Sequence, residues 1–474
     1  MFTKSLNRFA LMGVLGLALA GCGGGGGGAS PPSGGPGPNP PGNNPPGGNP
    51  PPVPEIAEFS ADKAAYFIGE KATLTVRFSN GTGRIDPNIG AVQSGVTVQT
   101  EPLDGTRELR LVVESAGGTV TRSLRLPVQY RDAYRTLGTS FLSRGHTASL
   151  TGDGSVLLIG GSRGQGTLST SIDRFDPRSN TLLRVGNLRN GREGHRAVRL
   201  NSGRILVTGG ISGLLATTAE VVDERTGEVS PTGNPRVQRV SHTATRLGND
   251  RVLVTGGYSS GEGAVFGISR TAEIWNPATN QFRLLESTMR VGRAGHSATM
   301  LPDGRVLIVG GLSADANYQF AEVFDPATET FSVFAAVDNR ERGLHATAQL
   351  PDGTVLVLGG ETEATQPFSS VVQFRGDNGG TSQILANLVR PRTLVEAAVS
   401  RDGRVFLFGG EVGPGNLTTD TAEAYSPANG GMPIASLPGP RVGHTTTWLT
   451  DGRFLIAGGE DADGRLVPSV LFYE

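Results

Sequence analysis

The chain carries six histidines, and each stands fourteen residues before the first glycine of a Gly-Gly pair: His146, His195, His242, His296, His345 and His444. The sixth of the seven pairs has Val395 there instead. An arginine stands three residues before that position in six copies, Arg192, Arg239, Arg293, Arg342, Arg392 and Arg441, and two before it as Arg144. Imidazole changes charge near neutral pH and can pass protons or ligate metals. Guanidinium grips carboxylate, sugar or peptide groups through paired hydrogen bonds. Together these residues form a candidate binding face. The alternative is structural: a residue present in nearly every copy serves a need that every copy has, such as satisfying backbone carbonyls at a junction. A six-histidine metal site is disfavoured, because ligands must converge within about 2 Å of the ion and a ring of repeats spreads them apart. No Ser/His/Asp or paired-carboxylate arrangement stands out, so no catalytic residue, metal or cofactor is assigned. Glu460, Asp461 and Asp463 read as a solvated turn.

The elements that must hold these residues follow from the glycines. Gly-Gly pairs begin at 160, 209, 256, 310, 359, 409 and 458, at intervals of 49, 47, 54, 49, 50 and 49 residues. Such regularity marks a repeat architecture. Each pair ends an apolar run such as Val306-Leu307-Ile308-Val309, which follows a turn such as Pro302-Asp303-Gly304-Arg305 and an earlier strand, His296 to Leu301. Strand, tight turn and strand predict an antiparallel hairpin. A variable loop, a third strand such as Ala321 to Phe324, an Asp325-Pro326 turn and a fourth strand near Phe331 complete the unit. Four short strands per 49 residues describe a propeller blade. The passage from one outer strand to the next inner strand shares a face with the loops after Gly-Gly, so Arg and His are expected on that face.

The motif His…Asp-Gly-Arg…Gly-Gly…Ala-Glu-x-aromatic-Asp-Pro resembles the kelch repeat, and more closely its galactose-oxidase-like bacterial branch, over 131–474. The usual fourth-strand tryptophan is replaced by Leu182, Val229, Phe282, Phe331 and Met432. The resemblance implies an all-β, seven-bladed kelch-type β-propeller. The last copy stops after its third strand, Val470-Leu471-Phe472-Tyr473, so Tyr134 to Ser140 is expected to supply the missing outer strand and close the ring. An acid recurs in the third strand at Asp173, Glu220, Glu273, Glu322 and Glu423, with valine at Val372 and Val470. Matching each acid with the histidine of the following repeat predicts a polar clasp between adjacent blades.

Ahead of the repeats lie three segments. Lys4, Arg8 and an apolar run from Phe9 to Ala20 read as a signal peptide over 1–21, since about twelve apolar residues cannot span roughly 30 Å of hydrocarbon. Leu19-Ala20-Gly21-Cys22 resembles the lipobox of bacterial lipoproteins, which implies acylation of Cys22, the one cysteine of the chain. Residues 22–54, rich in Gly and Pro, form a flexible tether. Alternating strands at 72–78, 96–100, 108–113 and 120–126 predict a small β-sandwich over 55–130 that resembles bacterial immunoglobulin-like domains.

Composition narrows the function. With 42 basic and 43 acidic residues among 474, the net charge of −1 draws neither nucleic acid nor anionic lipid. A single cysteine excludes an intramolecular disulfide and any multi-cysteine metal site. Seventy-one glycines argue for turns over helices. Galactose-oxidase-like copper chemistry, as the resemblance implies it, needs a tyrosine–cysteine cross-link and a domain after the propeller; the one cysteine here stands in the lipobox. The resulting expectation is a monomeric lipoprotein of the bacterial envelope, on the outer membrane or cell surface, whose propeller binds a protein or glycan. The alternative is a carbohydrate-active propeller enzyme similar to kelch-fold sialic-acid mutarotases.

Overall fold

The computed structural model describes residues 51–260, 267–313, 320–336, 342–362, 366–376, 380–413 and 417–474. Cys22, the signal segment and nearly all of the tether lie outside them. The described residues contain no helix, so none crosses a membrane as one. The chain divides into two compact units, one ending at Gln129 and the other Tyr130–Glu474.

In the first unit, Glu55–Ala61, Thr73–Ser79 and Thr97–Gln99 form one antiparallel sheet. Gly90–Val92, Thr82–Asp86, Arg107–Ser115 and Gly118–Leu126 form a second. Alternation along Thr73–Ser79 buries Leu74 and Val76, which pack with Ile85, Leu109, Leu111 and Val113 of the other sheet in one core. The strands at 55–61, 82–86 and 90–92 escaped the sequence pattern: Glu55–Ala61 breaks strict alternation at Ile56-Ala57, and the other two are short and contain glycine.

Among its described residues the second unit contains seven four-stranded antiparallel sheets. In the fourth repeat, Ser297–Met300 pairs with Val306–Val309, which pairs with Phe320–Asp325, which pairs with Thr330–Ala336. The second strand lies mid-sheet with both faces covered, so all four residues of Val306–Val309 are buried. The hairpin turns where Gly304 takes φ 87°, and the Asp303 carboxylate accepts the Arg305 amide at 3.0 Å. In the last sheet the outer strand is Tyr134–Ser140, which pairs antiparallel with Ser469–Tyr473 in the register Tyr134↔Tyr473 and Thr136↔Leu471. The expected closing strand is therefore present.

Neighbouring sheets are joined through the backbone. The amide of the second glycine of each pair donates to a carbonyl in the next repeat: Gly311 to Arg342 at 2.7 Å, Gly410 to Arg441 at 2.9 Å, and, returning to the start, Gly459 to Ser143 at 2.8 Å. A Cβ on Gly310 would stand 2.3 Å from the Arg342 carbonyl oxygen and 2.7 Å from His345 Cε1, so the first glycine is the contact surface for the next sheet. A second belt passes through the residue before each histidine, where Leu344 donates to Gly295 O at 3.2 Å and Leu394 to Leu344 O at 3.1 Å. That residue has positive φ in every repeat, including Leu344 at 57° and Leu394 at 49°. First strands of neighbouring sheets lie against one another all the way round and so line a central bore.

Candidate functional site

The candidate face is corrected by burial. His146, His195, His242, His296, His345 and His444 are at most 2% exposed, and Arg192, Arg239, Arg293, Arg342, Arg392 and Arg441 at most 1%. They stitch the sheets internally and present no rim to solvent.

Each buried arginine donates to the carbonyl of the first glycine of its own repeat, at 2.8 Å from Arg293 to Gly310 and 2.7 Å from Arg342 to Gly359. Its other nitrogens reach the third strand of the same repeat. Arg192 pairs with Glu220 at 2.9 Å, Arg239 with Glu273 at 3.4 Å, Arg293 with Glu322 at 3.0 Å and Arg392 with Glu423 at 2.7 Å. The second carboxylate oxygen accepts an amide from the incoming linker, as from Arg290 to Glu322 at 2.7 Å. The acid thus clasps the arginine of its own repeat and the linker; the expected partner, the next histidine, is not engaged. A hydroxyl two residues before the acid position also accepts from the guanidinium, with the acid present, as at Thr218 from Arg192 at 2.9 Å, or absent, as at Ser370 from Arg342 and Ser469 from Arg441, both at 2.6 Å. Register also shows that the residue equivalent to the acid in the last repeat is Leu471, opposite Ile456, and not Val470. In the first repeat Ser143 replaces the arginine and donates to Gly160 O at 3.0 Å, leaving Asp173 to pair with Arg184.

Arg293→Ala would strand the Glu322 carboxylate in the interior and is expected to cost about 3–5 kcal/mol. Arg441→Ala strands neutral groups, the Gly458 and Ser469 carbonyls and the Ser469 hydroxyl, and should cost about 2 kcal/mol less. Urea unfolding of the two variants measures this, and equal losses would deny the ion pair its role.

The histidines look the other way, toward the preceding repeat. Nε2 of His195 meets Thr147 Oγ1 at 3.0 Å, His345 meets Ser297 Oγ at 2.9 Å, His296 meets Thr243 Oγ1 at 3.1 Å, and His146 closes the ring on Thr445 Oγ1 at 3.0 Å. The hydroxyl belongs to the residue just after the preceding histidine. Where that residue is Ala346, the following repeat has Val395, which explains the one missing histidine. Ser297→Ala is expected to cost about 1–3 kcal/mol by orphaning His345 Nε2. Adding His345→Val, which copies the natural Ala346/Val395 pair, should recover part of that loss in a double-mutant cycle. Additive losses would show that the pair is not coupled. Burial holds His146, His345 and His444 down at about 3 and the other three well below their ordinary value, so all six are neutral.

What the loop face does offer lies one residue further out. The residue two before each histidine position pairs with the residue after Gly-Gly, as in Arg144↔Ser162, Glu193↔Ile211 and Val442↔Glu460. Arg144, half-buried, bridges Glu460 at 3.1 Å and Glu193 at 3.9 Å. Burial raises both carboxyls, with Arg144 opposing. Glu361 and Glu411 occupy the equivalent position after Gly-Gly in the fifth and sixth repeats. On the other side, Leu312 and Leu344 cluster with Tyr258, Ile268 and Leu394. Hairpin tips on this face carry exposed leucines, Leu214 at 83% and Leu417 at 67%. Of the expected face residues, Arg144 alone belongs to this surface. Glu361 and Glu411 were open to discovery by aligning the repeats at the residue after Gly-Gly, and Glu193 by aligning them two residues before each histidine position.

Four-stranded sheets strung on this repeat, with first strands side by side all the way round, give the unit a β-propeller fold. Residues 143–181 match the Kelch motif. A fungal alcohol oxidase of the AA5 family, solved in complex with copper, is similar at a TM-score of 0.61 and 17% identity, over 72% of this chain and 76% of its own. The structure of YjhT gives 0.47 at 17% identity, over 59% of this chain and 94% of its own. No curated protein matches the sequence. The likeness to the oxidase is one of fold. Among the described residues, no three His, Cys, Asp or Glu side chains are grouped so as to hold a metal ion.

Proposed function

We propose that this is a lipid-anchored protein of the bacterial envelope, with an immunoglobulin-like module and a seven-bladed propeller whose loop face binds a protein or glycan. The observation that carries the binding reading is the mixed chemistry of that face: exposed Leu214 and Leu417 on hairpin tips, over a floor where Arg144 is held between Glu193 and Glu460. Polar groups there offer orientation and apolar tips offer burial, the combination that ligand-binding surfaces use. The test is a glycan array together with affinity capture from envelope extracts, using the full chain and a Leu214→Asp/Leu417→Asp variant. Ligands retained by the parent and lost by the variant support the reading; equal retention overturns it. The anchor rests on Cys22 in its lipobox-like setting, and Cys22→Ala is expected to move the protein from the membrane fraction to the soluble one. Unchanged fractionation would remove the anchor from the proposal.

A second reading has one observation in its favour. The carboxyls of Glu193 and Glu460, raised by burial against the opposing charge of Arg144, are suited to general acid catalysis on a bound sugar. Turnover of a sugar lost in Glu460→Gln would select it over simple binding.

A further inference from the structure

Each four-stranded sheet of the second unit ends in an outer strand whose far edge pairs with no other strand among the described residues. Such an edge offers amides and carbonyls to any extended chain, and proteins protect it with charge, proline or brevity. Five of the outer strands are protected in these ways. Thr181–Asn187 carries Arg184 at its centre, Val229–Pro231 is three residues long and ends in proline, Gln281–Leu284 carries Arg283, Gly430–Ile434 carries Pro433, and Tyr134–Ser140 carries Arg135. Two neighbours, in the fourth and fifth sheets, have no such device. Thr330–Ala336 reads Thr-Phe-Ser-Val-Phe-Ala-Ala, and Thr381–Leu385 reads Thr-Ser-Gln-Ile-Leu.

The longer of the two is the better template, being rich in the β-branched and aromatic residues that favour strand pairing. Ser332 and Val333 at its middle are exposed. Near its start the Ser287 hydroxyl accepts the Phe331 amide at 3.3 Å, a role that the carbonyl of an incoming strand can take over. Glu329, the charge just before the strand, is tied back to the third repeat by Arg283 at 2.6 Å and Arg251 at 3.0 Å.

We propose that this edge receives a second copy of the chain, Thr330–Ala336 pairing antiparallel with itself so that two fourth sheets merge into one. A two-fold axis makes the central residue of such a strand face its own copy. Here that residue is Val333, 49% exposed, so one apolar side chain meets another. The same operation on Thr181–Asn187 would set Arg184 against Arg184, and like charges directly opposite are destabilising. A net charge of −1 leaves little long-range repulsion between copies. The outcome is a dimer in place of the monomer expected from the sequence, and it depends neither on the loop face nor on the anchor.

The experiment uses the full chain carrying Cys22→Ala, followed by sedimentation equilibrium from micromolar to submillimolar concentration. A reversible monomer–dimer equilibrium is expected. Val333→Lys should weaken it at least tenfold with melting unchanged, whereas Ile384→Lys, on the neighbouring edge, should leave it as it was. In the same Cys22→Ala chain, Val333→Cys should form a disulfide-linked dimer under mild oxidation, and Leu183→Cys, exposed on the first sheet's outer strand, should not. The cysteine pair decides the matter should Val333→Lys fail to fold. A monomer at every concentration would overturn the proposal and leave the edge to a foreign strand. Dimerisation unchanged in folded Val333→Lys, or equal cross-linking through Leu183→Cys, would overturn it too.

Discussion

Acidification to about pH 5 is expected to unfold Tyr130–Glu474, because the six histidines are neutral in the fold and charged once released. A group held below its ordinary value in the folded state contributes stability that is present above about pH 6.5 and lost as the pH falls. At pH 5 each imidazole favours the unfolded chain by about 2 kcal/mol, or roughly 12 kcal/mol for six, against a total stability of about 5–15 kcal/mol for a typical domain. Carboxyls raised by burial, Glu193, Glu396, Glu423 and Glu460, act in the opposite sense and offset part of this loss. Urea midpoints measured from pH 7.5 to 4.5 should therefore fall steeply below pH 6.5. A flat profile would mean that the imidazoles are protonated inside the fold.

Deleting residues 134–140 is expected to have the largest effect of any local change. The strand covers Ser469–Tyr473, which would otherwise become a bare edge open to pairing with another chain. Leu137 and neighbouring Phe141 pack with Leu449, Leu455, Val470 and Phe472, and burying side chains of this size contributes about 1.5–3 kcal/mol each. Beside them the Tyr134 ring lies 5.3 Å from that of Tyr473, whose hydroxyl donates to Asp132 at 2.9 Å. The deletion variant should melt far below the parent or form aggregates on size-exclusion chromatography. A monomer of parental stability would mean that the sheets close without this strand.

Much of this fold was legible because its rules are local and repeated. A hairpin announces itself through Asp303-Gly304, and a closing strand through a last copy that lacks one. The Arg and His positions were legible too, but their direction was not. Spacing places a side chain on a face, and whether that face meets water or the next sheet depends on a neighbour some 49 residues away. The acid was therefore matched with the wrong partner: counting copies cannot distinguish a bond within a repeat from one across a junction. One residue of register also went unread: Leu471, and not Val470, is the equivalent position in the last repeat. Leucine gives no sign of positive φ, so Leu344 and Leu394 concealed a backbone conformation that Gly145, Gly194, Gly295 and Gly443 hint at. Thr330–Ala336 stands out once the outer strands are read as a column.

The amide-to-carbonyl joint between sheets has an evolutionary corollary. Main-chain groups are common to every residue, so as long as the glycine pair itself is kept, the joint is blind to the side chains of the loops around it. A lineage can rewrite or lengthen one loop while the coupling between sheets stays as it was. The 54-residue interval, the longest of the series, shows the tolerance: Gly257 donates to Arg293 O at 2.7 Å, as Gly311 does to Arg342 across an ordinary interval. Ligand preference can thus drift repeat by repeat on an inherited frame.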